Sequence, residues 1–262
     1  MQYHRINVSW VVPLLLLLTW EAATRLGCLG VSQSAPPTAV IKRLVILLAT
    51  GNLLKHLALS LLRLGSGVLI GALLGTASGV VLSSSRGADR LFSGTIQFLA
   101  GVPLVVWMPL WIILLGTGEG FKIGLATTAT YFLVHIHTFV ASRTVAVRYI
   151  ELADIYEKTY LQKIFHIVLP AAIASILTAV RISIAIGWIV IFFVEYAASR
   201  EGAGGIGWFV ADARQVGRVE DEFAGLILLG VLGFSIDYLV SRAQRRISLW
   251  SDSMESALAA RS

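Results

Sequence analysis

Between Glu151 and Lys163 the chain reads ELADIYEKTYLQK, and the charges in it are balanced. Glu151, Asp154 and Glu157 stand against Lys158 and Lys163, while Leu152, Ile155, Tyr156, Tyr160 and Ile164 recur every three or four residues. That period predicts an amphipathic helix, and Asp154 with Lys158 forms a helix-favourable i,i+4 pair. Two uses fit such a stretch. A helix lying on a membrane is typically basic with bulky apolar residues, whereas a short apolar stripe with tyrosines suits a groove on another protein. Both readings stand on the residues alone.

No pattern in the chain assembles a catalytic centre. GTGEGFKIG at 116–124 lacks the order of a nucleotide loop, because Ile123 follows Lys122 where Ser or Thr is needed. The five histidines have no zinc-ligand spacing; His135 and His137, two apart on a predicted helix, diverge. Neither a Ser-His-Asp set nor a carboxylate pair is present. The expectation is therefore a non-enzyme that binds no metal and no nucleotide of its own.

What must position the 151–163 stretch is a set of membrane helices. The chain has 262 residues, 56% hydrophobic and 14% charged, with mean hydropathy +0.80, against about 25% charge in a soluble domain. Several apolar runs reach the roughly 20 residues that cross a bilayer core. Six spans are expected, near 9–29, 58–82, 92–115, 120–141, 171–196 and 223–241. The N-terminus resembles a secretory signal, but Arg25 before Cys28 spoils a lipoprotein cleavage site and more spans follow, so an uncleaved first span is expected. A lone cysteine forms no internal disulfide. The net charge of +6 reflects basic residues gathered in cytoplasmic segments rather than nucleic-acid binding. Arg86 and Arg90, Arg143 to Lys163, and Arg242 to Arg261 place both termini in the cytoplasm.

Residues 1–57 read as a first span with an outer connection. Residues 58–250 read as the core, with a cytoplasmic loop at 142–170, and 251–262 as a disordered tail. Within the core, Gly67, Gly71, Gly75 and Gly79 keep one helix face smooth, for close packing or for a glycine-lined path. Pro103 and Pro109 predict a kinked third span, either a structural bend or a wall beside a path. Arg181 falls ~16 Å into the fifth span at 1.5 Å per residue, and Trp188 shares its face. An intramembrane arginine faces a cavity or a partner; it either attracts an anionic solute or pairs at a helix interface. Arg181, Trp188, Trp107 and Pro103 form the candidate substrate path. Gly202, Gly204, Gly205 and Gly207 predict a sharply bent outer loop, a gate or a plain linker.

ELADIYEKTYLQKIFHIVLP resembles the Glu-Ala-Ala loop of permease subunits of binding-protein-dependent ABC importers. Glu151 and Ala153 match its opening, and Ile167, Leu169 and Pro170 its ending. Leu152 replaces the middle alanine, and Glu157 stands where that family has glycine. HLALSLLRLGSGVLIGALLGTASG, GVPLVVWMPLWIILLGTGEGFKI, AVRISIAIGWIVIFFVEY and GAGGIGWFVADAR resemble the sulfonate, taurine and nitrate branch, so the likeness runs from about Lys55 to Trp250.

The resemblance implies an all-α polytopic membrane protein of the type I importer permease fold in a bacterial inner membrane. It implies that Glu151, Ala153, Asp154, Ile155, Tyr156, Glu157, Lys158 and Tyr160 couple the chain to an ATP-binding subunit pair, which holds ATP and Mg. It also implies a second permease copy, a periplasmic or lipid-anchored solute-binding protein and a small anionic solute. The reading kept beside it is a stand-alone secondary transporter or channel.

Overall fold

The computed structural model describes residues 11–28, 34–145, 151, 153, 155–197 and 204–259. Leu152, Asp154 and Gly202 lie outside the described residues. Helices run in the order α1 (Val11–Arg25), α2 (Pro37–Ala49), α3 (Asn52–Ser84), α4 (Arg86–Ala100), α5 (Trp107–Leu115) and α6 (Glu119–Arg143). After the 151–163 region come α7 (Tyr160–Ala197), α8 (Ile206–Gln215) and α9 (Val219–Ala259). No strand occurs among the described residues.

Four of these, α3, α6, α7 and the Val219–Arg242 part of α9, are long and apolar enough to cross a membrane, and five spans result if α4 and α5 count as one. Six spans were expected, the third of them kinked; among the described residues four or five are found. The described part of α1 has 15 residues, short of the roughly 20 a crossing helix needs. The third span is broken outright, with α4 and α5 meeting at 98°. The break falls at Gly101–Pro103, while Pro109 sits in the first turn of α5, where helix amides have no internal acceptor and a missing N–H costs nothing. Two helices were absent from the sequence reading, α2 in the 30–57 connection and α8 in the outer loop. Helix α9 runs on to Ala259, into the stretch expected to be a tail; no Gly or Pro lies between Phe234 and Ser262.

The chain divides into two compact units, Met1–Ser60 with Phe192–Leu232, and Leu61–Ile191 with Gly233–Ser262. In the first, Val40, Leu47, Leu53, Ile206, Phe209, Val210, Ala224 and Leu228 form the core. Polar ties fix its helices. Glu21 of α1 accepts from the Thr38 amide (3.1 Å) and hydroxyl (2.8 Å) at the start of α2, satisfying an amide that the helix itself leaves unpaired. Arg43 of α2 grips Asp221 of α9 with two bonds, 2.5 and 3.2 Å long.

The buried Glu195 (1% exposed) accepts from Ser60 Oγ at 2.9 and 2.8 Å and from the Gly207 amide at 3.0 Å. Ser60 Oγ in turn accepts from the Ile206 amide at 2.9 Å. A Cβ on Gly207 would strike the Phe192 carbonyl and sit 2.7 Å from Glu195 Cβ. Only glycine lets α8 lie this close to the end of α7.

In the second unit, α3 packs on α6 along the four-residue glycine repeat. Cβ atoms added at Gly67, Gly71, Gly75 and Gly79 would meet Ala126 Cβ at 2.5 Å, the Thr127 carbonyl at 2.6 Å, the Tyr131 carbonyl at 2.8 Å and Thr138 Cβ at 2.7 Å. Real Cβ atoms do not approach so closely, so the contact is backbone against backbone. Ser78 and His135 Nδ1 add a hydrogen bond of 2.8 Å within the same seam.

Candidate functional site

Two regions hold the residues singled out by sequence. The first is 151–163, which the structure builds differently from the one continuous helix expected. A short helical stretch ends at Ile155, and Tyr156 and Glu157 form a turn. The Lys158 amide donates 2.9 Å back to the Ala153 carbonyl, the six-to-one bond of a Schellman helix end. That motif puts one residue in the left-handed region, here Glu157 at φ +50°. A left-handed non-glycine residue costs about 1 kcal/mol or more. Glu157 thus occupies a backbone conformation that favours glycine, and its side chain bears the strain.

The chain restarts at once. Thr159 caps the next helix, its hydroxyl accepting from the Gln162 amide (3.4 Å) while Gln162 Oε1 accepts from the Thr159 amide (3.0 Å). This reciprocal box launches α7 at Tyr160. A π-helical turn at Ile164–Val168 follows. It answers Pro170, whose ring would collide with the carbonyl four residues back in a regular helix; widening the turn makes the room. The break at Glu157 leaves Lys158 between the two helical pieces; its expected partner Asp154 lies outside the described residues.

Ala153 is buried at 5%, whereas Ile155 and Tyr156 are 76% and 71% exposed. Glu151, Glu157, Lys158 and Tyr160 are exposed as well. Among its described residues the loop therefore turns one small residue inward and presents Ile155, Tyr156 and Tyr160 outward, with acids and a lysine interleaved.

The second region lies midway along α7. Arg181 Nε donates 3.0 Å to Asp237 Oδ1 and its Nη2 3.2 Å to Asp237 Oδ2, a two-bond pair between α7 and α9. The pair stays open, with 37% of the arginine and 49% of the aspartate side chain exposed. It closes one end of a cavity of about 220 Å³ whose walls are Ile184, Ala185, Trp188 and Ile236. A wider cavity of about 410 Å³ continues past the same pair to Tyr238 and Arg242. Trp188 (7% exposed) thus shares a cavity with Arg181.

Trp107 and Pro103 line neither of these cavities. Trp107 packs on Phe132 at 5.6 Å between ring centroids, with its indole N–H buried and without a hydrogen-bond partner, and Pro103 stands exposed at the α4–α5 break.

Asp237 was missed in the sequence, although its signal was there. It is an acid inside the apolar run 223–241, and the cost of charge at membrane depth marks it as surely as Arg181. Among the described residues no group of His, Cys, Asp and Glu could hold a metal ion.

Comparison with known proteins fits this geometry. Residues 67–249 match the model of the binding-protein-dependent transport system inner membrane component family. The putative aliphatic sulfonates transport permease protein SsuC of Bacillus subtilis (strain 168) is 30% identical over 94% of this chain and 88% of its own length. The taurine transport system permease protein TauC of Escherichia coli (strain K12) is 24% identical over 94% and 90%. Among solved structures, a bacterial ABC transporter involved in the import of the acidic polysaccharide alginate superposes with TM-score 0.67 at 16% identity, over 92% of this chain and 97% of that one; it shows the fold alone. The fold is that of ABC importer permeases, all-helical and multi-pass. The chain belongs to the family of binding-protein-dependent transport system inner membrane components.

Proposed function

We propose that this chain is the permease of an ATP-driven importer for a small sulfonate or similarly oxyanionic solute. The observation that carries the reading is the 151–163 region, two helical pieces about a tight turn with Ile155, Tyr156 and Tyr160 turned outward. In a family whose members are inner-membrane components of transport systems, such a surface suits the cleft of a separate ATP-binding subunit.

Two copies enclose the pathway about a two-fold axis. Two ATP-binding subunits hold ATP and Mg, and a periplasmic or lipid-anchored binding protein delivers the solute. Both termini face the cytoplasm. ATP draws the paired 151–163 regions together and turns the pathway outward; hydrolysis resets it, a two-state device biased by nucleotide.

The sulfonate assignment rests on the names of the B. subtilis and E. coli relatives and on Arg181. Its guanidinium matches an oxyanion with two parallel bonds, as it already grips the Asp237 carboxylate. The apolar walls beside it, Trp188 included, suit the carbon portion of such a solute.

The test is a tagged pull-down from detergent-solubilised native membranes, wild type against a 151–163 deletion that still inserts. Recovery of an ATP-binding subunit at near-equal stoichiometry, lost with the deletion, is the expected result. A clean pull-down without one contradicts the reading and favours a self-contained transporter.

A further inference from the structure

Glu157 is disfavoured by its own backbone. Its φ of +50° suits glycine and strains an L side chain. It stands between the helical piece that closes at Ile155 and the start of α7 at Tyr160, so the opposed end charges of the two helices leave no clear dipole contribution of either sign. The side chain is exposed, and among the described residues no cation pairs with it. An anionic membrane surface would repel it, because such surfaces attract basic segments. Ile155 and Tyr156, immediately before it, are exposed as well, so the acid sits at the rim of an apolar surface with no cation paired to it among the described residues.

We propose that Glu157 selects the chain's ATP-binding partner by pairing with a basic side chain at the rim of that subunit's cleft. This rests on the function proposed above and adds the chemistry of the contact. Glycine would make the same turn without strain, and a cation on a docked subunit would offset the strain that the acid brings, once docking removes water from the pair. A charge at the rim of an apolar contact also sets partner choice and approach rate more than it sets bulk affinity.

The experiment measures binding of the ATP-binding subunit that co-purifies with the wild-type chain to nanodisc-held permease, across a range of salt. Glu157→Gln removes the charge and keeps the strain, while Glu157→Gly removes both. Both variants are expected to bind about tenfold more weakly at low salt, as for loss of one hydrogen bond to a charged group, with the gap closing as salt screens the pair. Glu157→Gly permease alone should nonetheless melt above Glu157→Gln. A Lys→Glu or Arg→Glu change in the partner's cleft should weaken wild type and be rescued by Glu157→Lys. If Glu157→Gly binds as tightly as wild type at every salt concentration, the proposal is overturned while the parent function stands. If the wild-type chain binds no ATP-binding subunit, both fall together.

Discussion

The α3–α6 seam and the 151–163 region put their recurring side chains to opposite ends. Along the seam, small residues every fourth position bring two backbones into contact, and the face is consumed within the chain. In 151–163 the outward face is large and aromatic, and among the described residues there only Ala153 is buried. Glycines at helix spacing close an interface that the chain already owns. Bulky apolar residues left open between charges point to one that it shares.

The sharpest break of this contrast is at Gly71. A leucine there has no place to go, with a carbonyl 2.6 Å from the first added carbon. Overpacking of this kind costs about 1–3 kcal/mol or more. Gly71→Leu should leave little folded permease by size-exclusion chromatography in detergent.

Arg181→Gln should do less to the fold and more to transport. Assembly should persist while uptake in reconstituted vesicles drops by about tenfold or more, the size of a lost charged hydrogen-bond pair. If assembly is lost instead, the Arg181–Asp237 pair is a structural tie and the solute role falls. The smallest effect belongs to Gly65, on α3 yet with nothing within 4 Å of an added Cβ. Gly65→Ala should be neutral or stabilising by up to about 1 kcal/mol from helix propensity, read as a melting temperature at or above that of wild type.

How far these features could be read from sequence differs by region. The glycine repeat and the apolar runs were legible because each depends on one helix's own period. The 98° break at Gly101–Pro103 was not placed, because two prolines compete in the sequence and only the position of Pro109 within the first turn of α5 makes it harmless. Helices α2 and α8 were hidden because Val40, Leu47, Ile206 and Phe209 gain their meaning from one another in a shared core. Glu157 was legible as an oddity, but its left-handed backbone was not, since propensity argues against it and the Lys158–Ala153 bond around it wins. Asp237 shows the opposite lapse. The rule that singled out Arg181 applied to it equally, and its partner 56 residues away needed the fold to be seen.

The central claim is that the turn at 156–157 docks on an ATP-binding subunit at the cytoplasmic face. Cys28 is the chain's one cysteine, so a Cys28→Ser background allows a unique thiol to be placed at will. Tyr156→Cys in that background, treated with a short bifunctional thiol reagent in native membranes, should cross-link to the ATP-binding subunit, while Val216→Cys, also on an exposed turn but in the expected outer loop, should not. A cross-link from Val216→Cys and none from Tyr156→Cys would contradict both the docking site and the orientation.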